Sequence, residues 1–219
     1  MFDWNEIDCV LLDMDGTLLD LHFDNYFWLQ HVPKRYAQAN NLKLAAATEI
    51  LMDKYKSVEG TLDWYCVDHW SRALGLDIVL LKQEVDHLIA VHPHVLPFLQ
   101  GLAAAGKQRV LVTNAHQKSL QLKLEKTQLA GYFEQVVSSH DVGLAKEQVQ
   151  FWQGLQKIVP FDPARTLFVD DSLAVLRSAQ EYGIRFLLSI SLPDSTQPAK
   201  GECEFPALEN FSSLLAQMK

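Results

Sequence analysis

The segment IDCVLLDMDGT, residues 7–17, is a mostly apolar run that ends in DMDGT, with aspartates at 13 and 15, a glycine and a threonine. A short apolar run that ends in polar residues is typical of a buried strand in a parallel sheet, because helices cover both faces of such a sheet. A carboxylate at a strand end can attack phosphorus or hold a metal ion, and Asp15 can face the same ligand as Asp13. Gly16 allows a close turn of the backbone. The segment therefore predicts a strand whose carboxyl end carries a reactive site.

Further apolar runs end in polar residues along the rest of the chain. They are Val110–Val112, Val136–Val137, Thr166–Val169 and Phe186–Ile190. Apolar side chains at helical spacing lie between some of these runs, from Val95 to Leu102 and from Val149 to Ile158. This alternation predicts an α/β fold with an open, doubly wound parallel sheet, which binds its ligand at the carboxyl ends of the strands.

Residues 18–92 interrupt the alternation of strands and helices. The segment has no strong strand pattern, and we interpret it as a helical cap inserted after the first strand. Residues 1–17 and 93–219 would then form the core. The expected cap helices are Tyr26–Ala39, Leu44–Val58, Leu62–Leu74 and Val79–Val91.

Composition restricts the classes of partner. The formal net charge is −8, from 27 acidic and 19 basic residues, which gives no electrostatic reason to bind a nucleic acid or an anionic membrane. The three cysteines are widely spaced, which argues against a disulfide framework and favours a reducing compartment. No apolar run reaches the roughly 18 residues that span a bilayer. We therefore expect a cytoplasmic protein that acts on a small ligand.

Polar side chains at other strand ends could act on the same ligand. Thr113 and Asn114 offer a hydroxyl and an amide where the following helix presents free N–H groups to an anion. Lys146 opens a predicted helix, although a lone lysine is more often a solvated surface residue. Asp170 and Asp171 bring two negative charges to a strand end, which is costly without a cation.

Taken in order, DMDGT at 13–17, TN at 113–114, Lys146 and DD at 170–171 resemble the four motifs of the haloacid dehalogenase superfamily. The resemblance spans nearly the whole chain and implies a Rossmann-like core, with the helical insertion where many members carry a cap. It also implies a phosphatase that uses Mg²⁺ and forms an aspartyl-phosphate. The third motif departs from the family pattern, because Glu147 stands where many relatives have proline.

The resemblance implies a role for each motif residue. Asp13 would be the nucleophile, and Asp15 would protonate the leaving group and then activate water. The residues implied to hold the phosphoryl group are Thr113, Asn114 and Lys146. The residues implied to hold Mg²⁺ are Asp13, Asp15 through its main-chain carbonyl, Asp170 and Asp171.

Within the superfamily, residues 21–28, 61–66 and 106–116 resemble bacterial nucleotidases that release phosphate from GMP and IMP. This resemblance implies that the substrate is a purine mononucleotide. Asp24, Asn25 and His116 have the best positions for contact with it. Aromatic residues of the segment could include a surface on which a purine stacks, or could form the core of the cap. These residues are Phe23, Tyr26, Phe27, Trp28, Trp64, Tyr65 and Trp70.

Other functions remain open at this point. The same fold serves phosphatases for phosphoglycolate or sugar phosphates and also phosphomutases. A phospho-receiver module uses similar residues, but its acidic pair comes first in the chain, whereas here the pair at 170–171 comes last. Cys66 and His69 form a C-x-x-H, with His92 and His94 farther on, but no second pair at zinc-binding spacing follows. The sequence therefore predicts no zinc site.

Overall fold

The computed structural model describes residues 2–217, and six parallel strands form the sheet at its centre. The strands lie in the order β3-β2-β1-β4-β5-β6, so β1 is flanked by β2 and β4. The strands are β1 (Cys9–Leu12), β2 (Gln108–Thr113), β3 (Gln135–Ser138), β4 (Thr166–Asp170), β5 (Phe186–Ile190) and β6 (Ala207–Leu208). The predicted doubly wound α/β fold is confirmed.

Helices lie between the strands and in the long connection from β1 to β2. In that connection the helices are α1 (His22–Tyr26), α2 (Val32–Ala39), α3 (Leu44–Val58), α4 (Leu62–Tyr65), α5 (Val67–Leu74), α6 (Ile78–Glu84) and α7 (Val95–Ala104). The helices that follow β2 are α8 (Gln117–Thr127), α9 (Ser139–Val142), α10 (Val149–Ile158), α11 (Leu173–Tyr182) and α12 (Ser212–Gln217).

Alternate side chains of each strand point to opposite faces of the sheet, and each face carries its own apolar cluster. Val10 and Leu12 belong to a cluster that also contains side chains of α7 and α12 and extends into the long connection. Cys9 and Leu11 belong to a second cluster with side chains of α10 and α11. The strands are thus buried on both faces, which explains why their sequences are continuous apolar runs.

Several predicted helix boundaries are wrong. The helix predicted from Tyr26 begins at His22 and passes through a π-helical turn, Phe27–His31, before α2. The helix predicted over Leu62–Leu74 is two helices, since Cys66 has an extended backbone and caps α5. The helix predicted to reach Val91 ends at Glu84. In α10, Ile158 is 41% exposed, and Phe151 is buried beside Trp152 and Leu155 instead.

The segments that join the helices of residues 18–92 to the sheet pair with each other. The main-chain N–H of His92 donates to the carbonyl of Leu18, and that of Asp20 donates to the carbonyl of Ala90. We call residues 18–92 the helical insertion. Its description as a separate cap domain stays a prediction. Among residues 2–217, no helix is long and apolar enough to cross a membrane.

Candidate active site

Asp13 lies directly after β1 and is held by the buried ammonium group of Lys146. The Nζ atom of Lys146 is 2.5 Å from Asp13 Oδ1 and 2.7 Å from Asp170 Oδ2, and it also donates to the carbonyl of Val112 at 3.1 Å. Burial raises the pKa of the Asp13 carboxyl to about 6, and the charge of Asp170 adds to this, while Lys146 opposes it. Lys146 is therefore not the solvated surface residue that a lone lysine more often is, because these two carboxylates compensate its burial.

Asp171 approaches the same place from the end of β4. Gly16, with φ +86°, lies under it, and a Cβ atom at Gly16 would come within 2.8 Å of Asp171 Cγ. Lys200 binds Asp171 from the outside, with Nζ 3.1 Å from Oδ2. Burial raises the pKa of the Asp171 carboxyl to about 6, with Lys200 opposing the shift.

Asp15 belongs to a buried network of two carboxylates and two lysines. Lys123 Nζ lies 2.7 Å from Asp15 Oδ1 and 2.6 Å from Asp24 Oδ2, and Lys82 Nζ lies 3.0 Å from Asp24 Oδ1. Burial raises the pKa of the Asp15 carboxyl to about 6 despite Lys123. At Asp24, burial acts in the same direction, but the two lysines outweigh it and lower its pKa to about 2. Asp24 is thus a fixed anion between two cations.

Thr113 and Asn114 lie at the end of β2, and both are buried. Asn114 Oδ1 accepts from the main-chain N–H of Lys146 at 2.9 Å, and its Nδ2 donates to Glu147 Oε2 at 3.0 Å. Glu147 Oε1 accepts from the hydroxyl of Tyr65 at 2.5 Å. Glu147, the residue that departs from the family motif, therefore links Asn114 to the helical insertion.

The predicted site residues share one cavity of about 310 Å³ between the sheet edge and the helical insertion. Parallel strands end at one edge, so the residues that follow β1, β2 and β4 meet there. The predicted residues in its lining are Asp13, Asp15, Asp24, Asn25, Thr113, Asn114, His116, Lys146, Asp170 and Asp171.

The three predicted substrate contacts already have partners within the protein. Both carboxylate oxygens of Asp24 are bound by lysines, as described above. Asn25 Nδ2 donates to Asp194 Oδ2 at 2.7 Å. His116 Nδ1 accepts weakly from the main-chain N–H of Lys118 at 3.3 Å, so its ring is the least constrained of the three. Their contact with substrate stays a prediction.

Five of the seven aromatic residues that the sequence suggested divide into two groups. Of the other two, Trp70 is buried in the apolar cluster and also lines the cavity, and Tyr26 packs against that cluster. Phe23 and Phe27 are buried in the apolar cluster, as the core interpretation expects. Trp28, Trp64 and Tyr65 are partly buried and line the cavity, as the stacking interpretation requires. The cavity also reaches Tyr55, which the sequence did not suggest.

The lysines of the Asp15 network were missed by the sequence-based search. Lys123 follows Ser119 by four positions and Leu120 by three, so these three share one face of α8, and that face is buried. This spacing is the signal that could have identified Lys123. Lys82 gives a similar signal, because it follows Ile78 by four positions on the buried face of α6. Its ammonium group pairs with Asp24 and lies over the rings of Phe23 and Phe27.

The carboxylates at the sheet edge fit a magnesium ion. One oxygen each from Asp13, Asp170 and Asp171 lies within 4.8 Å of the others. Oxygen donors of this kind are the ligands that Mg²⁺ prefers. The raised pKa values of these carboxyls reflect burial and mutual repulsion, both of which a cation would relieve.

The sequence matches a known family. The family model described as haloacid dehalogenase-like hydrolase matches residues 7–183, and the chain belongs to this family. It is therefore a hydrolase, as the four motifs predicted.

The chain is also similar to individual proteins within and beyond this sequence match. Over 215 residues the chain is 41% identical to "GMP/IMP nucleotidase YrfG" of Escherichia coli strain K12, covering 98% of this chain and 97% of that protein. A protein of the same name from Shigella flexneri matches equally. Among solved structures, a HAD phosphatase from Thermococcus onnurineus has a TM-score of 0.79 at 21% identity, covering 96% and 97% of the two chains. The predicted resemblance to the nucleotidases is confirmed.

Proposed function

We propose that this hydrolase is a magnesium-dependent phosphatase that releases phosphate from purine mononucleotides through an aspartyl-phosphate on Asp13. The observation that carries the chemistry is the buried Lys146, which joins Asp13 to Asp170 at the edge of the cavity. The observation that supports the substrate is the 41% identity to a GMP/IMP nucleotidase over nearly the whole of both chains.

In the first step, an Asp13 oxygen attacks phosphorus and the bond from phosphorus to the ester oxygen breaks. The ion pair with Lys146 keeps the attacking carboxylate ionised in its buried position. Asp15 donates its proton to the departing oxygen, which a carboxyl with a pKa of about 6 can do near neutral pH. Lys123, 2.7 Å from the Asp15 carboxylate, stabilises the charge that Asp15 then carries.

In the second step, water attacks the phosphorus of the aspartyl-phosphate. Asp15 takes the proton from this water, and the bond to Asp13 breaks, which releases phosphate and restores both carboxyl groups. Thr113, Asn114 and Lys146 would hold the phosphoryl oxygens. Asp13, Asp170, Asp171 and the Asp15 carbonyl would hold Mg²⁺, which when bound supplies positive charge beside the phosphoryl group.

The remainder of the substrate would lie in the part of the cavity that the helical insertion covers. Trp28, Trp64 and Tyr65 offer aromatic faces there, and stacking of a base on such a face contributes about 1 to 3 kcal/mol. A flat purine ring can stack on these aromatic faces, whereas phosphoglycolate has no ring to do so. The helical insertion would thus act as a cap that selects the leaving group. We also propose that the protein is located in the cytoplasm.

The chemistry is tested with Asp13→Asn. We expect wild-type protein with Mg²⁺ to release phosphate from IMP, and Asp13→Asn to have lost this activity with an unchanged circular dichroism spectrum. Asp8→Asn, an exposed aspartate before β1 that pairs with Arg165, is the control and should keep full activity. Substantial turnover by Asp13→Asn would exclude Asp13 as the nucleophile.

The substrate is tested by comparing IMP with ribose 5-phosphate, which lacks the base. Trp64→Leu should lower kcat/KM for IMP by roughly tenfold, the lower part of the stacking range, and should change ribose 5-phosphate less. Trp4→Leu, outside the lining of the cavity and packed on Phe98, is the control. Better hydrolysis of phosphoglycolate or a hexose phosphate than of IMP would reject the nucleotidase while leaving the phosphatase intact.

A further inference from the structure

A second cluster of possible metal ligands lies where the helical insertion meets the sheet, beside the cavity. Cys66 precedes α5 in the insertion, His116 precedes α8, and His140 lies in α9. One ligand atom from each lies within 4.8 Å of the others. The three residues come from distant parts of the sequence, so no spacing in the sequence indicates this site.

The donor atoms differ from those of the carboxylate site. A thiolate and imidazole nitrogens suit Zn²⁺, whereas the three aspartates suit Mg²⁺. A tetrahedral Zn²⁺ ion with ordinary bond lengths would hold such atoms roughly 3.3 to 3.6 Å apart. The ligand atoms lie within 4.8 Å of one another, so side-chain movements of at most about an ångström bring them to these separations.

The surroundings leave these groups ready for a metal ion. His140 Nε2 is buried and has no hydrogen-bond partner among residues 2–217. Burial lowers the pKa of both His116 and His140, so their imidazoles are neutral at pH 7, the form that binds a metal. The main-chain N–H of His69 donates to Cys66 Sγ at 3.3 Å, which fixes the position of the sulfur at the start of α5.

A carboxylate stands beside the cluster as well. Asp68 Oδ2 lies 3.8 Å from His116 Nε2, and its other oxygen binds Lys118. A carboxylate in this position can accept the Nε2 proton of His116, the usual second partner of a metal-bound histidine. The ion would then take Nδ1 of His116 and replace the weak hydrogen bond that this atom accepts from the main-chain N–H of Lys118 at 3.3 Å.

We propose that Cys66, His116 and His140 form a binding site for a Zn²⁺ ion that joins the helical insertion to the sheet. Because Cys66 lies in the insertion and the two histidines follow β2 and β3, an ion shared by them ties these parts together. His116 also lines the cavity, so the ion fixes a side chain at the substrate position. Zn²⁺ bound here should be held independently of the ion at Asp13, Asp170 and Asp171.

The test is a titration with Co²⁺ as a spectroscopic probe, followed by Zn²⁺, with Mg²⁺ present in excess to occupy the carboxylate site. We expect absorption bands of tetrahedral Co²⁺ with a thiolate-to-metal band, all removed by one equivalent of Zn²⁺. Cys66→Ser should abolish the thiolate band and weaken Zn²⁺ binding by roughly a hundredfold. Cys203→Ser, a partly buried cysteine outside the cluster, should behave as wild type.

His140→Gln provides a second variant, so the result does not depend on the folding of one protein. It should keep its circular dichroism spectrum and weaken Zn²⁺ binding by roughly the same factor. The proposal is overturned if wild-type protein shows no thiolate band, or if both variants bind Zn²⁺ as tightly as wild type. Since every readout is metal binding, the result is independent of the substrate.

Discussion

The lack of a side chain at Gly16 leaves room for the Asp171 carboxylate near the nucleophile. Its backbone has φ +86°, and a Cβ atom would lie 2.8 Å from Asp171 Cγ, inside van der Waals contact. Gly16→Ala should therefore push the Asp171 carboxylate away from Asp13 and Asp170. We expect Mg²⁺ affinity, measured by isothermal titration calorimetry, to fall roughly tenfold or more.

Gly75→Ala separates this steric effect from the cost of the backbone conformation. Gly75 also has positive φ, +65°, but nothing lies within 4 Å of its missing Cβ atom. This variant should lose about 1 kcal/mol of unfolding free energy and keep its Mg²⁺ affinity. The same Mg²⁺ affinity in Gly16→Ala and wild type would contradict the steric argument.

At the residue scale, the sequence predicts reactive groups where the chain geometry decides their place. Asp13 follows an apolar strand, and that position alone directs its carboxylate to the ligand edge. The burial of Lys146 could not be inferred in the same way, because a lysine is buried only when carboxylates from other strands surround it. Lys123 was missed for the same reason, although its helical face gave a signal.

Among the elements, α8 carries two lysines with opposite surroundings, which allows a matched comparison. Lys123 is 2% exposed and pairs with Asp15 and Asp24, whereas Lys126 is 42% exposed and pairs with Asp86. Lys123→Met leaves two buried carboxylates without their shared cation and should cost about 3 to 5 kcal/mol of unfolding free energy. Lys126→Met should cost less than about 1 kcal/mol.

Urea unfolding at pH 7 measures both changes. The methionine side chain is apolar and of similar length, so the loss in Lys123→Met reports the charge and not a cavity. Double replacement of Lys123 by Met and Asp15 by Asn should recover part of the loss, because Asp24 still pairs with Lys82 and no carboxylate of the network is then left without a cation. Equal costs for the two lysines would show that the Asp15 network does not contribute to folding.

The strands were easier to predict than the helices of the insertion, for a physical reason. Strands buried on both faces are continuous apolar runs, and Phe186–Ile190 matches its predicted bounds. β6 has only two residues, too short for a pattern. The break at Cys66 has no proline or glycine to mark it, since the chain simply takes an extended conformation there with φ −81° and ψ 107°.

For the whole molecule, the parts of the site that the parallel sheet positions could be predicted from the sequence. The topology brings residues 13, 113 and 170 to one edge, whatever the packing of the insertion. Contacts between the insertion and the sheet edge, such as Tyr65 with Glu147, depend on how two independently formed surfaces meet. No sequence pattern within the insertion or the sheet specifies how these two surfaces pack. The cluster of Cys66, His116 and His140 could therefore not be predicted from the sequence.

The cluster of carboxyls at the sheet edge should make the stability of the whole protein depend jointly on pH and Mg²⁺. Burial raises the pKa values of Asp13, Asp170 and Asp171 from 3.8 to about 6 in the metal-free fold. Between pH 3.8 and about 6, the folded state therefore binds more protons than the unfolded state. The contribution of these protonated carboxyls to the free energy of unfolding is therefore complete below pH 3.8 and is lost as the pH rises through about 6.

Mg²⁺ competes with these protons for the carboxylates, so stabilisation of the fold by Mg²⁺ should increase with pH, whereas stabilisation by protonation decreases. The rise in Tm produced by saturating Mg²⁺ should be small below the folded pKa of about 6 and should grow as the pH increases through that value. Differential scanning calorimetry across this range, with Mg²⁺ or with EDTA, measures the increment at each pH. Asp171→Asn removes one of the three charges, so its metal-free Tm should fall less with rising pH and its Mg²⁺ increment should shrink. An increment that is the same on both sides of this pH would mean that these carboxylates do not bind the ion.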